Sequence, residues 1–295
     1  MKTLVAGWFS FEQMGATAGD LLARDVALEW LREAGHDCDV AIAPPFEGGV
    51  DWRLVDPAAY SDVVFVCGPF GNGWPVTDFL ERFAGHRVIG LNLTMLEPLE
   101  VWNPFDLLVE RDSSRRAHPE MAFASQQALV PVIGTVLVHP QLEYKNGMHA
   151  AANEAIARLT EAQPMAVVPI DTRLDENTTG LRTAAEVESI IARMDVVLTT
   201  RLHGMVLALK NGVPVVAIDP IAGGAKLQRQ AETIGWPLIF RADAIDDRQL
   251  AEAVRFCLTP EGRRAAGRCR DEARERLKAV RREFVEAAAP AATKR

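Results

Sequence analysis

Short apolar runs of strand length recur along this chain, each followed by a turn and then an amphipathic segment, and that alternation leaves few folds open. Buried strands alternating with one-faced helices fit a parallel sheet with helices on its faces, and fit neither a sandwich nor a bundle. The runs form two series. In the first, strands are predicted at Thr3–Ala6, Cys38–Ile42, Val63–Cys67, Val88–Asn92 and Leu107–Val109, with helices near Asp20–Ala34 and Pro75–Ala84. Leu21, Leu22, Val26, Leu28 and Leu31 are spaced for one buried helix face. The second series has strands at Thr135–His139, Ala166–Ile170, Val196–Thr199, Val215–Ile218 and Leu238–Phe240. Its helices run over His149–Glu161, Ala184–Arg193, Leu202–Lys210 and Asp247–Leu258.

Two Rossmann-like α/β domains facing a cleft follow as the expected architecture, divided near Val130–Gly134. The expected N-terminal domain covers residues 1–133. The C-terminal one covers 134–295 and ends in an Arg- and Glu-rich helical tail over Pro260–Ala289, with Pro290–Arg295 expected to fray. A length of 295 residues is ample for two such domains. The formal charge of -8 disfavours non-specific nucleic-acid binding. No apolar stretch is long enough to span a membrane. Met1–Trp8 reads as a first buried strand and not as a signal peptide, and Cys38, Cys67, Cys257 and Cys269 form no CxxC pair, so a reducing cytoplasm is expected.

In open α/β sheets, ligands bind beyond the carboxyl ends of the strands, where helix N-termini present unpaired N–H groups. Several segments fall there. The loop Gly68–Gly73, which contains Asn72, follows a strand and could approach a phosphate or a sugar, or could simply connect strand to helix. Asp20 opens the first helix, as a cap or as a ligand contact. In the segment Met194–Asp219 a buried strand ends in Thr199 and Thr200, and Arg201 and His203 open the next helix. An arginine offers a planar fork to carboxylate or phosphate, and a histidine can exchange a proton near neutral pH. By residue type alone, an arginine paired with a local carboxylate and a histidine closing the sheet edge explain the same pattern. Among His36, His86, His118, His139, His149 and His203 no HxxxH pair occurs, so no metal is expected, and no GxSxG element supports a serine hydrolase.

Arg201-Leu202-His203-Gly204, followed by Gly212-Val213-Pro214-Val215-Val216-Ala217-Ile218-Asp219, resembles the signature of the polysaccharide pyruvyl transferase family. Lys226 stands near where family members commonly carry a lysine. Gly19-Asp20, Asp62–Gly68 and Arg111-Asp112-Ser113 are similar to further family elements, less sharply. The resemblance implies a fold like that of the two-domain, B-type glycosyltransferases. It also implies transfer of a pyruvyl group from phosphoenolpyruvate to two hydroxyls of a sugar or glycan, lipid-linked acceptors included, with release of phosphate and no cofactor. On that reading His203 is the acid or base and Arg201 holds the donor anion. Arg111 and Lys226 assist from the two domains, which would close over the donor, and Asp20, Asn72, Asp112 and Asp219 are acceptor contacts. Two alternatives remain open from sequence: a nucleotide-sugar glycosyltransferase, and a non-catalytic sugar-phosphate or partner-binding protein of the same fold.

Overall fold

The computed structural model describes residues 2–138, 147–224 and 226–289. His139, expected to end a strand, and the expected fraying of Pro290–Arg295 lie outside the described residues. The chain divides into two compact units, Met1–Ala128 and Leu129–Arg295.

The first unit contains, in chain order, β1 (Lys2–Gly7), α1 (Ala18–Glu33), β2 (Asp37–Val40), β3 (Asp62–Val66), β4 (Pro69–Phe70), α2 (Val76–Arg82), β5 (Arg87–Leu91), β6 (Thr94–Met95) and β7 (Leu107–Val109). Five of the strands form a parallel sheet in the order β2-β1-β3-β5-β7, and β4 and β6 pair separately. Strand residues alternate between two apolar layers. Leu4, Ala6, Val63 and Phe65 pack with Val76 and Phe79 of α2 on one face, while Val5, Val64 and Val66 meet Ala23, Val26 and Ala27 of α1 on the other. Burial on both faces is why β1 and β3 read as nearly continuous apolar runs.

The second unit contains β8 (Val132–Val136), α3 (His149–Glu161), β9 (Ala166–Pro169), α4 (Ala184–Ile191), β10 (Val196–Thr199), α5 (Leu202–Lys210), β11 (Val215–Asp219), α6 (Lys226–Ile234), β12 (Ile239–Arg241), α7 (Asp247–Cys257) and α8 (Pro260–Ala287). Its five-stranded parallel sheet runs β12-β11-β10-β8-β9. Val197, Val215 and Ala217 pack against α4 and α5. Val196, Leu198, Val216 and Ile218 pack against α3 and α7. Counting each sheet's own strands from its first, both orders read 2-1-3-4-5, a doubly wound arrangement with its switch point between the first and third strands.

Two differences from expectation have clear causes. The expected division falls near Val130–Gly134, yet Gly134 lies mid-strand, opposite Val168 and Val197, so β8 begins at Val132 and the expected 133/134 division would cut it. Helix α6 was not expected. Its apolar signal is limited to Leu227 and Ala231, an i, i+4 pair buried on the core side, and Ile234, half-buried against the same core at the helix end, in an otherwise polar segment. No helix among the described residues is long and apolar enough to cross a membrane.

Candidate functional site

At the switch point of the second sheet, a cavity of about 270 Å³ opens beyond the carboxyl ends of β8, β10 and β11. Val138, Thr200, Arg201, His203, Asp219 and Lys226 are among its lining residues. Four of the residues singled out from sequence, Arg201, His203, Asp219 and Lys226, therefore surround one space.

The turn from β10 into α5 sets the cavity's cationic edge. The Thr199 hydroxyl donates to the Val136 carbonyl at 2.7 Å and accepts from the Arg201 N–H at 2.9 Å, tying the turn to the neighbouring strand. Gly204 lets α5 start directly on the sheet: a Cβ there would collide with Thr199 Oγ1 and meet the Val136 side chain at 2.8–2.9 Å. The Thr200 hydroxyl, also buried, accepts from the Val138 N–H at 2.8 Å and donates to Asn153 Oδ1 of α3 at 3.3 Å.

Arg201 meets a partner that sequence reasoning did not single out. Its Nη1 lies 3.0 Å from Oδ1 of Asp171, which follows β9, and the Asp171 side chain is only 4 % exposed. Oδ1 also accepts from the Arg173 N–H at 2.9 Å, and Oδ2 accepts from the N–H and hydroxyl of Thr178, each at 3.1 Å. Burial by itself would raise the Asp171 pKa, but these donors and the Arg201 charge outweigh it and hold the carboxyl below the usual range. Among the described residues, Asp171 is the one side chain hydrogen-bonded to this guanidinium. Arg201 is thus paired, though with a carboxylate distant in sequence and not a local one, and one edge of the fork is engaged. Asp171 carries no local motif; thirty residues separate it from Arg201, and parallel strand packing alone brings them together.

His203, exposed in the first turn of α5, and Lys226, exposed at the start of α6, bring two further basic side chains to the cavity. Asp219 is buried: Oδ1 accepts from the Ile221 N–H at 3.1 Å and Oδ2 from the Gln228 N–H at 2.9 Å, so this carboxylate organises the turn into α6. A second histidine is notable. His149 in the first turn of α3 is buried, and neither ring nitrogen has a hydrogen-bond partner among the described residues. It precedes Asn153, the Thr200 partner, by one helical turn.

The remaining sequence candidates lie in the first unit. Asp20 forms a capping box with Thr17: its Oδ2 accepts from the Thr17 N–H at 2.7 Å, which supports the cap reading. Arg111 lies 3.2 Å from Asp112 and also donates to the Thr94 hydroxyl, which donates to Asp112 at 2.8 Å. Asn72 lines a separate cavity in this unit. Burial pushes the Cys67 thiol far up, so it offers no thiolate near neutral pH.

The segment that builds the cavity's α5 edge also falls within a family match. Residues 153–220 match the polysaccharide pyruvyl transferase family. The family match runs from α3 to Pro220. It takes in Asp171, Thr200, Arg201, His203 and Asp219 but not Lys226 or the first unit. Among curated proteins none matches the chain. Solved structures similar to it include spinosyn rhamnosyltransferase SpnG complexed with thymidine diphosphate, at 13% identity over 92% of this chain and 96% of that one, with a TM-score of 0.35. UDP-GlcNAc 2-epimerase from Methanocaldococcus jannaschii is similar at 10% identity over 88% and 93%, with a TM-score of 0.33. MurG from Acinetobacter baumannii is similar at 12% identity over 92% and 95%, also with a TM-score of 0.33. The α/β fold itself is read from the two parallel five-stranded sheets.

Proposed function

We propose that the protein transfers the pyruvyl group of phosphoenolpyruvate to a sugar or glycan as a cyclic ketal. The observation that carries this reading is the convergence of Arg201, His203 and Lys226 on one cavity inside the segment similar to the pyruvyl transferase family and immediately after it. Phosphoenolpyruvate carries a carboxylate and a phosphate on one carbon, and a cavity with basic side chains at a sheet switch point suits such a compact polyanion.

The chemistry requires a proton on the methylene carbon, an attack by two hydroxyls at the neighbouring carbon, and departure of phosphate from that carbon. Protonation turns the methylene into a methyl group and leaves the adjacent carbon electron-poor. One sugar hydroxyl adds there, the carbon–oxygen bond to phosphate breaks, and the second hydroxyl closes the ketal ring. Of the two hydroxyl protons, one is balanced by the proton now on carbon and the other leaves with phosphate. His203 moves the proton, since its imidazole can act as acid and then as base in one cycle. Arg201 binds the donor anion with the guanidinium edge opposite Asp171, and Asp171 keeps that fork in place. Lys226 neutralises the phosphate as it leaves.

Purified protein incubated with phosphoenolpyruvate and a panel of sugars and glycans tests the reading by phosphate release and by a pyruvyl mass increment on the acceptor. The same panel with nucleotide sugars replaces the donor. Glycosyl transfer in the second assay without pyruvyl transfer in the first would overturn the proposal.

A further inference from the structure

A second cavity, of about 280 Å³, lies wholly within the first unit at the switch point of its sheet, beyond the carboxyl ends of β1 and β3. Trp8, Pro69, Asn72, Trp74, Leu96 and Glu97 shape it, and among the described residues no Lys, Arg or His lines it. Its chemistry is therefore unlike that of the cationic cavity in the second unit.

Two indoles form its apolar wall. Trp8 leaves the end of β1, packs edge-on against Phe65 at 6.3 Å, and satisfies its indole N–H on the Pro69 carbonyl at 2.9 Å. Gly68 makes this placement possible: its φ is +81°, and a Cβ there would run into the Trp8 ring. Trp74 and Leu96 stand at the mouth, 72 % and 63 % exposed, a large apolar surface left in water.

The polar side is a single carboxylate. Pairing of β4 with β6, continued by the Leu96 N–H donating to the Phe70 carbonyl at 3.0 Å, holds Glu97 against the Gly71–Gly73 loop. Glu97 Oε1 accepts from the Asn72 N–H at 3.2 Å. Oε2 is shut away from solvent and has no hydrogen-bond partner among the described residues. Glu97 lines the cavity, and its Oε1 keeps a lone pair beyond the one that meets the Asn72 N–H, so a hydroxyl brought into the cavity can donate to it. Aromatic faces for ring C–H groups and a carboxylate for hydroxyls are what a neutral sugar ring needs. An anion would meet Glu97 with no compensating cation. The volume is at the small end of ligand pockets, which suits one ring better than a nucleotide.

We propose that this cavity binds the pyranose ring of a neutral sugar, with the ring against Trp74 and Trp8 and a hydroxyl donating to Glu97. Its assignment as the acceptor subsite rests on the pyruvyl-transfer reading, whereas ring binding does not.

Saturation-transfer NMR on the full chain, without donor, against methyl α- and β-glycosides of glucose, galactose and mannose at millimolar concentration tests it directly. Transfer to the ring C–H protons of at least one glycoside is expected. Trp74→Ala and Glu97→Gln should each weaken that binding by about fivefold or more, roughly 1 kcal/mol, with melting temperatures showing that both variants are folded. Absence of transfer to every glycoside would overturn the proposal, as would transfer undiminished in both variants. Glycoside binding that is lost in Trp74→Ala, in a protein that releases no phosphate from phosphoenolpyruvate, would sustain the sugar subsite while removing the transferase reading.

Discussion

Arg201 Nη1 sits 3.0 Å from Asp171 Oδ1, joining the turn after β10 to the loop after β9 by an ion pair in which the carboxylate is almost wholly buried. Replacing Asp171 with Asn leaves the arginine without its charge partner and turns an amide toward N–H donors that now meet a carboxylate. Asp171→Asn is expected to cost about 2–4 kcal/mol of stability, readable in a denaturant titration, because one charge of a buried pair loses its counterpart. A change below the measurement error would mean that the pair contributes nothing to holding the loop.

Arg201→Lys keeps the charge but loses the planar fork, so it separates anion recognition from net charge. The expected effect on phosphoenolpyruvate use is a loss of at least roughly tenfold in kcat/KM, about 1.4 kcal/mol, with a much smaller change in melting temperature. Parent-like kinetics in this variant would remove Arg201 from donor binding.

His203→Asn preserves a polar side chain at the start of α5 while removing the exchangeable imidazole proton. Donor affinity, followed by calorimetry, should persist while turnover falls by about a hundredfold or more, in keeping with general acid–base contributions. An unchanged kcat and pH–rate profile would leave the residue with a structural role.

His149 makes the opposite kind of prediction. Its buried ring nitrogens have no partners among the described residues, and an unsatisfied buried polar group costs about 1–3 kcal/mol. His149→Leu is expected to raise the melting temperature, since leucine is compatible with the first turn of α3 and removes that penalty. A clear drop would show that the imidazole is stabilising as it stands.

Acid sensitivity should centre on Glu110, which is buried after β7 and hydrogen-bonded to Arg115 at 2.8 Å and to Ser113 at 2.9 Å. Burial alone would raise its pKa, but Arg115, a main-chain donor, Ser113 and Arg116 together hold it down at about 2, against an ordinary 4.5. With the folded value below the unfolded one, this stabilisation is complete above about pH 4.5 and is lost as the pH falls toward 2. Glu110→Gln should flatten that part of the stability curve measured by thermal melts from pH 6 downward. A variant with the parent's full acid slope would assign the sensitivity elsewhere.

Strand and helix periodicity carried much of the architecture. β7, β10, α3 and α5 begin and end where their apolar spacing and flanking turns predict, because each element's core face is set by local sequence. Chain punctuation also located the turn bearing Arg201 and His203. What local sequence could not supply were relationships across strands. Asp171 became the Arg201 partner only because β8 lies between β9 and β10, and Glu97 met the Gly71–Gly73 loop only because β4 pairs with β6. β8 lies three residues earlier than expected because pairing with β9 and β10 recruits Val132–Gly134, the segment read from sequence as the domain boundary. α6 was missed because only Leu227, Ala231 and Ile234 of its residues pack on the core, and their apolar character matters only once a sheet exists to bury it. Burial and partner choice are properties of the packed chain: the sequence determined which segments become strands and helices, and tertiary structure decided which charges and which indoles share a cavity.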